Sequence, residues 1–152
     1  LGVLAEYLAG YLPAERMRVI AGRVIAADMM LHGADFAEVF ACLHDDHRID
    51  TGDAFDTAVR AFRGGGLTKD AVYLAGVSDI LDYLAEGEPF EDLFIGKFAL
   101  SQLDTLRELV AEGWVHPPDV MPRYLEQPAA VERLEQCRTL SLDRLFHQEP
   151  HA

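Results

Sequence analysis

Residues 60–76 read Arg60-Ala-Phe-Arg63-Gly64-Gly65-Gly66-Leu67-Thr68-Lys69-Asp70-Ala-Val-Tyr73-Leu-Ala-Gly76. A helical pattern enters this stretch through Phe55, Val59 and Phe62, and the glycines stop it. A second pattern leaves it through Val72, Tyr73, Gly76, Val77, Ile80, Leu81 and Leu84. Thr68 is the expected N-cap of that second helix, Lys69 to Glu86 its expected span, and Gly87 its stop. Two helices meeting at a glycine corner, with no period-two alternation on either side, set the class as mainly α.

Working towards the N-terminus, Phe36, Val39, Phe40 and Leu43 predict a helix capped by Asp35, and a polar break over 44–53 separates it from the next. Met17, Ile20, Val24, Ala27 and Leu31 recur at steps of three and four, which predicts a helix over 14–32 stopped by Gly33. Val3, Leu4, Tyr7, Leu8 and Tyr11 predict one over 1–12, ended by Pro13. In the other direction, Pro89 suits the first turn of a short helix reaching about Ala99. Ser101 and Asp104 resemble a capping box for a helix carrying Leu103, Leu106, Leu109 and Val110, closed by Gly113. Pro117, Pro118 and Pro122 impose an extended segment over 114–124. Pro128 starts a further helix, 142–146 adds a last turn, and 148–152 reads as a frayed tail. The expectation is one helical domain over 1–147, its helices in an orthogonal array.

A chain of 152 residues, 50% hydrophobic and 26% charged, has the composition of a packed domain and not of a disordered segment. Its formal charge of −13 argues against a nucleic-acid or anionic-membrane binder, since either surface repels it at long range. The charge suits a well-solvated surface or a basic partner. Cys42 and Cys137 are far apart and lack metal-site spacing, which points to a reducing compartment, with the cytoplasm as default. No apolar run approaches the length of a membrane span. The chain opens at Leu1 inside a helical pattern with no residue to cap it. The expectation is a C-terminal portion of a longer protein, exposing apolar surface and prone to self-association.

Arg60 and Arg63 lie three apart at a helix end and therefore share a face. With the N–H groups of the following helix start, their guanidinium forks form a plausible cradle for a carboxylate or phosphate. The competing reading is a plain helix–loop–helix corner in which Arg60 pairs with Asp56. A phosphate-binding Walker loop does not fit, because no strand precedes the glycines and Lys69 is followed by Asp70. His44-Asp45-Asp46-His47 offers two histidines beside two carboxylates, yet a solvated helix end is the simpler reading than a cation site. Tyr73 sits on the apolar side of its helix, where a core aromatic is the default, and its place beside the glycine corner keeps a catalytic reading open.

The string Arg60…Arg63-Gly-Gly…Leu67-Thr68-Lys69-Asp70…Tyr73-Leu74…Gly76 is similar to the RxxRGG-[FL]-TKD-xx-YLxG pattern of the tyrosine/phenylalanine carboxypeptidase family. That family includes the microtubule-associated tyrosine carboxypeptidases and the flavohaemoglobin expression-modulating QEGLA-motif proteins. The opening Leu1-Gly-Val-Leu-Ala-Glu6-Tyr-Leu resembles the segment after that family's QEG. Gly96-Lys97 and Pro117-Pro118…Pro122-Arg123-Tyr124-Leu125 resemble its tail, so the likeness runs nearly end to end.

The resemblance implies the C-terminal part of a zincin-like zinc metallocarboxypeptidase that removes a C-terminal Tyr or Phe from a peptide or protein. It implies an HExxxH helix and the Glu of QEG as zinc ligands, all preceding Leu1, so this chain alone is expected to bind no catalytic zinc and to be inactive without the missing N-terminal half. Within the chain, Arg60, Arg63, Lys69 and Asp70 are the expected substrate-binding residues, with Asp70 orienting a neighbouring cation. Tyr73 is the expected catalytic group, steadying the developing oxyanion. Glu6 is expected to support the metal ligand from behind. Two alternatives from other classes stand beside this one: a helical interaction module with an acidic surface, and a small-anion binding domain centred on 64–69.

Overall fold

The computed structural model describes residues 1–63 and 67–147, without the side chains of 67–71, 146 and 147. The glycines at 64–66 and the tail from 148 lie outside the described residues. All regular structure among those described is helical. The chain forms two compact units, one from 1–11 and 77–141, the other from 12–76 and the chain beyond Ser141.

In the first unit α1 (Gly2–Leu8) packs against α7 (Pro128–Cys137), burying Val3, Leu4, Tyr7 and Leu8. α1 is shorter than its apolar pattern. The Gly10 N–H donates to the Tyr7 carbonyl (2.9 Å) and the Tyr11 N–H to the Glu6 carbonyl (2.8 Å), with Gly10 at φ 81°. This left-handed glycine turns the chain before Pro13 is reached, leaving Tyr11 79% exposed. The Arg133 guanidinium occupies the place a side chain at Gly10 would need, 3.0 Å from an ideal Cβ, and donates from Nη1 to the Leu8 carbonyl at 2.7 Å. An arginine from α7 thus satisfies a carbonyl that the end of α1 leaves over.

α5 (Leu67–Ala85) contributes Val77, Ile80, Leu81, Tyr83 and Leu84 to the buried residues of this unit and ends at Gly87, φ 88°. Where the sequence pattern suggested a helix after Pro89 there are two short 3₁₀ turns, Phe90–Phe94 and Leu100–Gln102. α6 (Leu103–Ala111) starts one residue after Gln102, whose Oε1 accepts from the Ala99 N–H (3.2 Å), so Gln102 and not Ser101 ties the entry. Arg107 on α6 binds the 3₁₀ region together. Its Nε donates to Asp92 (2.8 Å), its Nη2 to Glu88 and to the Tyr83 hydroxyl (3.5 Å), and Tyr83 in turn donates to the Pro89 carbonyl at 2.7 Å. Burial, then the nearby Asp92 carboxylate, pushes the Tyr83 phenol up to about 12.

In the second unit α2 (Ala14–Leu31) packs against α4 (Thr51–Phe62), α3 (Phe36–Ala41) and the 3₁₀ turn Leu142–His147. α3 begins with a full capping box: the Glu38 N–H donates to Asp35 and the Asp35 N–H to Glu38, both at 2.9 Å. It runs on into a π-helical turn, Cys42–Asp46. The core is built from Ala26, Val39, Leu43, Ile49, Ala54, Ala58 and Ala61. Small residues on α4 let it lie close to its neighbours, and at Gly22 of α2 an added Cβ would stand 2.6 Å from the Ile49 side chain.

Candidate functional site

α4 opens on Asp50, whose carboxylate accepts the Gly52 N–H at 2.9 Å, and its alanines Ala54, Ala58 and Ala61 face the core. Arg60 and Arg63 are therefore carried on a different side, at the helix C-terminus, where cations meet the negative end of the helix dipole. They open onto a cleft of about 330 Å³. Asp53, Asp56, Thr57 and Val59 of α4 line it with them, and α2 contributes Val19 and Arg23 from the facing wall. Thr57 is buried at 4% exposure, Arg60 is half-buried and Arg63 is exposed, so the lining deepens from Arg63 inwards.

Three guanidinium groups against two carboxylates leave the lining with an excess of positive charge, in a chain whose overall charge is −13. Arginine forks match a carboxylate through two parallel N–H···O bonds. The arrangement can bind and orient a small anion at the end of α4. Arg23 was not singled out in the sequence. Its signal was a charge set into the apolar arc of Val19, Ile20, Val24 and Ile25, next to Gly22.

The remaining candidates fall in different places. α5 begins at Leu67, so Thr68 stands inside the helix and not at its cap. Lys69 and Asp70 are in that first turn, and their side chains lie outside those described. Tyr73 is 38% exposed and Val72 62% exposed, so this half of α5 does not turn the face the pattern assigned to it into a core. Tyr73 does not line the cleft. Glu6 belongs to α1 in the other unit and is half-buried.

Of the histidine pair, His44 is held by the fold. His44 Nδ1 lies 3.1 Å from the Ile49 carbonyl, and its ring stacks on Phe40 with centroids 5.8 Å apart. His47 instead lines a separate hollow of about 260 Å³ with Arg18, Ala21, Ile25 and Ile49. Among the described residues no group of three or more His, Cys, Asp or Glu is placed to hold a metal ion. Burial and the adjacent Asp46 raise the Cys42 thiol, and burial pushes Cys137 up to about 12, so neither thiol is tuned as a nucleophile.

No helix among the described residues is long and apolar enough to cross a membrane. A family model described as microtubule-associated tyrosine carboxypeptidase matches residues 1–141. No curated protein and no solved structure matches the chain.

Proposed function

The chain belongs to the microtubule-associated tyrosine carboxypeptidase family, and from that premise we propose that the α4 cleft seats the terminal carboxylate of a peptide whose last residue, Tyr or Phe, is removed by hydrolysis. Membership implies carboxypeptidase chemistry and hence a peptide or protein substrate. The observation that carries the assignment to this cleft is the meeting of Arg60 and Arg63 with Arg23 across it. A carboxypeptidase must read a free C-terminus, and a fork of guanidinium groups is the side-chain chemistry best matched to that anion. Holding the carboxylate fixes the register of the peptide, so that the bond one residue upstream is the one presented for cleavage.

Lys69 and Asp70 are proposed to extend the same anion site, and Tyr73 to donate to the oxygen that gains charge as the peptide bond breaks, worth about 3 kcal/mol in comparable sites. Support for these comes from the TKD…Y pattern and, for Tyr73, from an exposed ring in the first half of α5. Glu6 is proposed to stiffen the metal ligand set. The described residues do not fit a catalytic zinc, as no trio of ligands converges among them. On the family resemblance alone, we propose that zinc and the zincin-like part of the domain belong to the HExxxH and QEG segments of the family pattern.

The test uses the intact protein and a peptide ending in Tyr. Arg60→Ala, Arg63→Ala and Arg23→Ala should each lower kcat/KM, by about 10- to 150-fold, because hydrogen bonds to a charged group are worth about 1.5–3 kcal/mol. Hydrolysis unchanged in all three would end the assignment.

A further inference from the structure

On α4 the core face and the cleft face meet at Thr57. Ala54, Ala58 and Ala61 pack into the core, whereas Asp53, Asp56, Arg60 and Arg63 line the cleft. Thr57 comes four residues after Asp53 and three before Arg60, so it shares their stripe, and it lines the cleft with them. At 4% exposure it is buried like the alanines, and it is the one polar side chain so deeply buried among the described residues. Its hydroxyl has no hydrogen-bond partner among those residues and is not sealed from solvent, so it opens into the cleft. No bond back to the Asp53 carbonyl, the usual recourse of a threonine inside a helix, takes it up.

Burying a hydroxyl without a partner costs stability, and a β-branched residue adds a helix-propensity cost that the alanines at 54, 58 and 61 avoid. Valine fills nearly the same space with no polar atom. The fold therefore draws nothing from this hydroxyl, whereas a group entering the cleft meets a donor at its floor. An ionised carboxylate only accepts, and its two oxygens offer about four acceptor directions. One such group is therefore able to bond to a guanidinium and to a hydroxyl together. Arg63 stands exposed at the mouth of the cleft and Thr57 lies buried below it.

We propose that the Thr57 hydroxyl donates a hydrogen bond to the carboxylate seated in this cleft, and so sets how deeply the end of the peptide enters. The proposal rests on the carboxylate-binding reading of the cleft. It does not depend on how Arg23 and Arg60 are engaged within the protein.

The experiment uses the intact protein with Thr57→Val, which removes the hydroxyl and nearly keeps the shape, and Thr57→Ser, which keeps the hydroxyl. On a Tyr-ended peptide Thr57→Val should raise KM about ten-fold and change kcat by less, the pattern of a bond made in the ground state and the transition state alike. Binding of N-acetyl-tyrosine, followed by titration, should weaken by the same factor. Thr57→Ser should stay within about two-fold of the wild type in both measurements. The thermal midpoint of Thr57→Val should hold or rise, since no hydrogen bond inside the protein is lost. A hydroxyl that serves only the fold gives the reverse pattern. A fall in the midpoint, failure of Thr57→Val to fold, or an unmoved KM would each overturn the proposal. If Arg63→Ala lowers kcat/KM while Thr57→Val leaves KM unmoved, only the role of Thr57 fails. If both are silent, the carboxylate reading fails with it.

Discussion

In the unit built from 1–11 and 77–141, three arginines are spent on the protein's own groups. Arg107 gathers Asp92, Glu88 and Tyr83, Arg133 donates to the Leu8 carbonyl, and Arg138 donates to the Leu84 carbonyl at 3.1 Å. In the unit of 12–76, Arg23, Arg60 and Arg63 line the walls of an open cleft. The residue type is the same and the helical setting is similar. What differs is the setting: orphan carbonyls and acidic turns around the first set, and around the second a cleft lined by Asp53 and Asp56 as well, where Arg23 and Arg60 are also engaged within the protein. An arginine that completes helix ends contributes to stability, whereas one that lines a cleft stands where a ligand can reach it.

That contrast can be broken by mutation. The largest effect is expected for the double variant Arg60→Ala/Arg63→Ala in the intact enzyme: a loss of about 10³-fold in kcat/KM on a Tyr-ended peptide, with the thermal midpoint moved little. Alkaline unfolding comes next and belongs to the first unit. Below the unfolded-state value of 9.0, both folded and unfolded chains keep the Cys137 proton, so the thiol does not affect stability. As pH rises from there towards about 12, the unfolded chain releases it and the folded chain does not, so stability falls. Tyr83 acts in the same sense between 10.0 and about 12. Urea melts of the wild type and of Cys137→Ala should show a shallower alkaline fall in the variant, and identical slopes would contradict the burial argument.

Arg107→Ala should cost about 1–2 kcal/mol, a value that allows for solvent screening of a guanidinium 35% exposed, and should leave KM for peptides unchanged. A rise in KM comparable to that of the cleft variants would erase the distinction between the two sets of arginines. The smallest effect is expected at Gly22, where the second unit is held by close apolar approach and not by arginine. Gly22→Ala gains about 1 kcal/mol in helix propensity but must displace Ile49, so the net change should be a loss near 1 kcal/mol by denaturant titration.

Much of the fold was legible because its stops are local. Gly33, Gly87 and Gly113 all adopt the positive φ that ends a helix, Asp35 makes its cap, and Pro128 begins α7. The errors have physical sources. Gly10 ended α1 ahead of Pro13 because Arg133, more than a hundred residues later, was there to cap it. Ser101 matched a capping pattern that Gln102 satisfied instead. Val72 and Tyr73 fitted a helical stripe, but a stripe does not say how far along its length a partner covers it. At the site, the pairing of Arg60 with Arg63 followed from their spacing. Arg23 could not be found that way, since only tertiary packing of α2 on α4 brings it across.

The central claim is that the arginines of this cleft recognise a free C-terminal carboxylate. The most direct measurement is the ratio of kcat/KM for a Tyr-ended peptide to that for the same peptide as its C-terminal amide, in the intact wild type and in Arg63→Ala. The account predicts a wild-type ratio well above about 10², falling at least ten-fold in the variant through loss of the free-acid rate alone. A ratio that survives the substitution, or one near unity from the start, would contradict it.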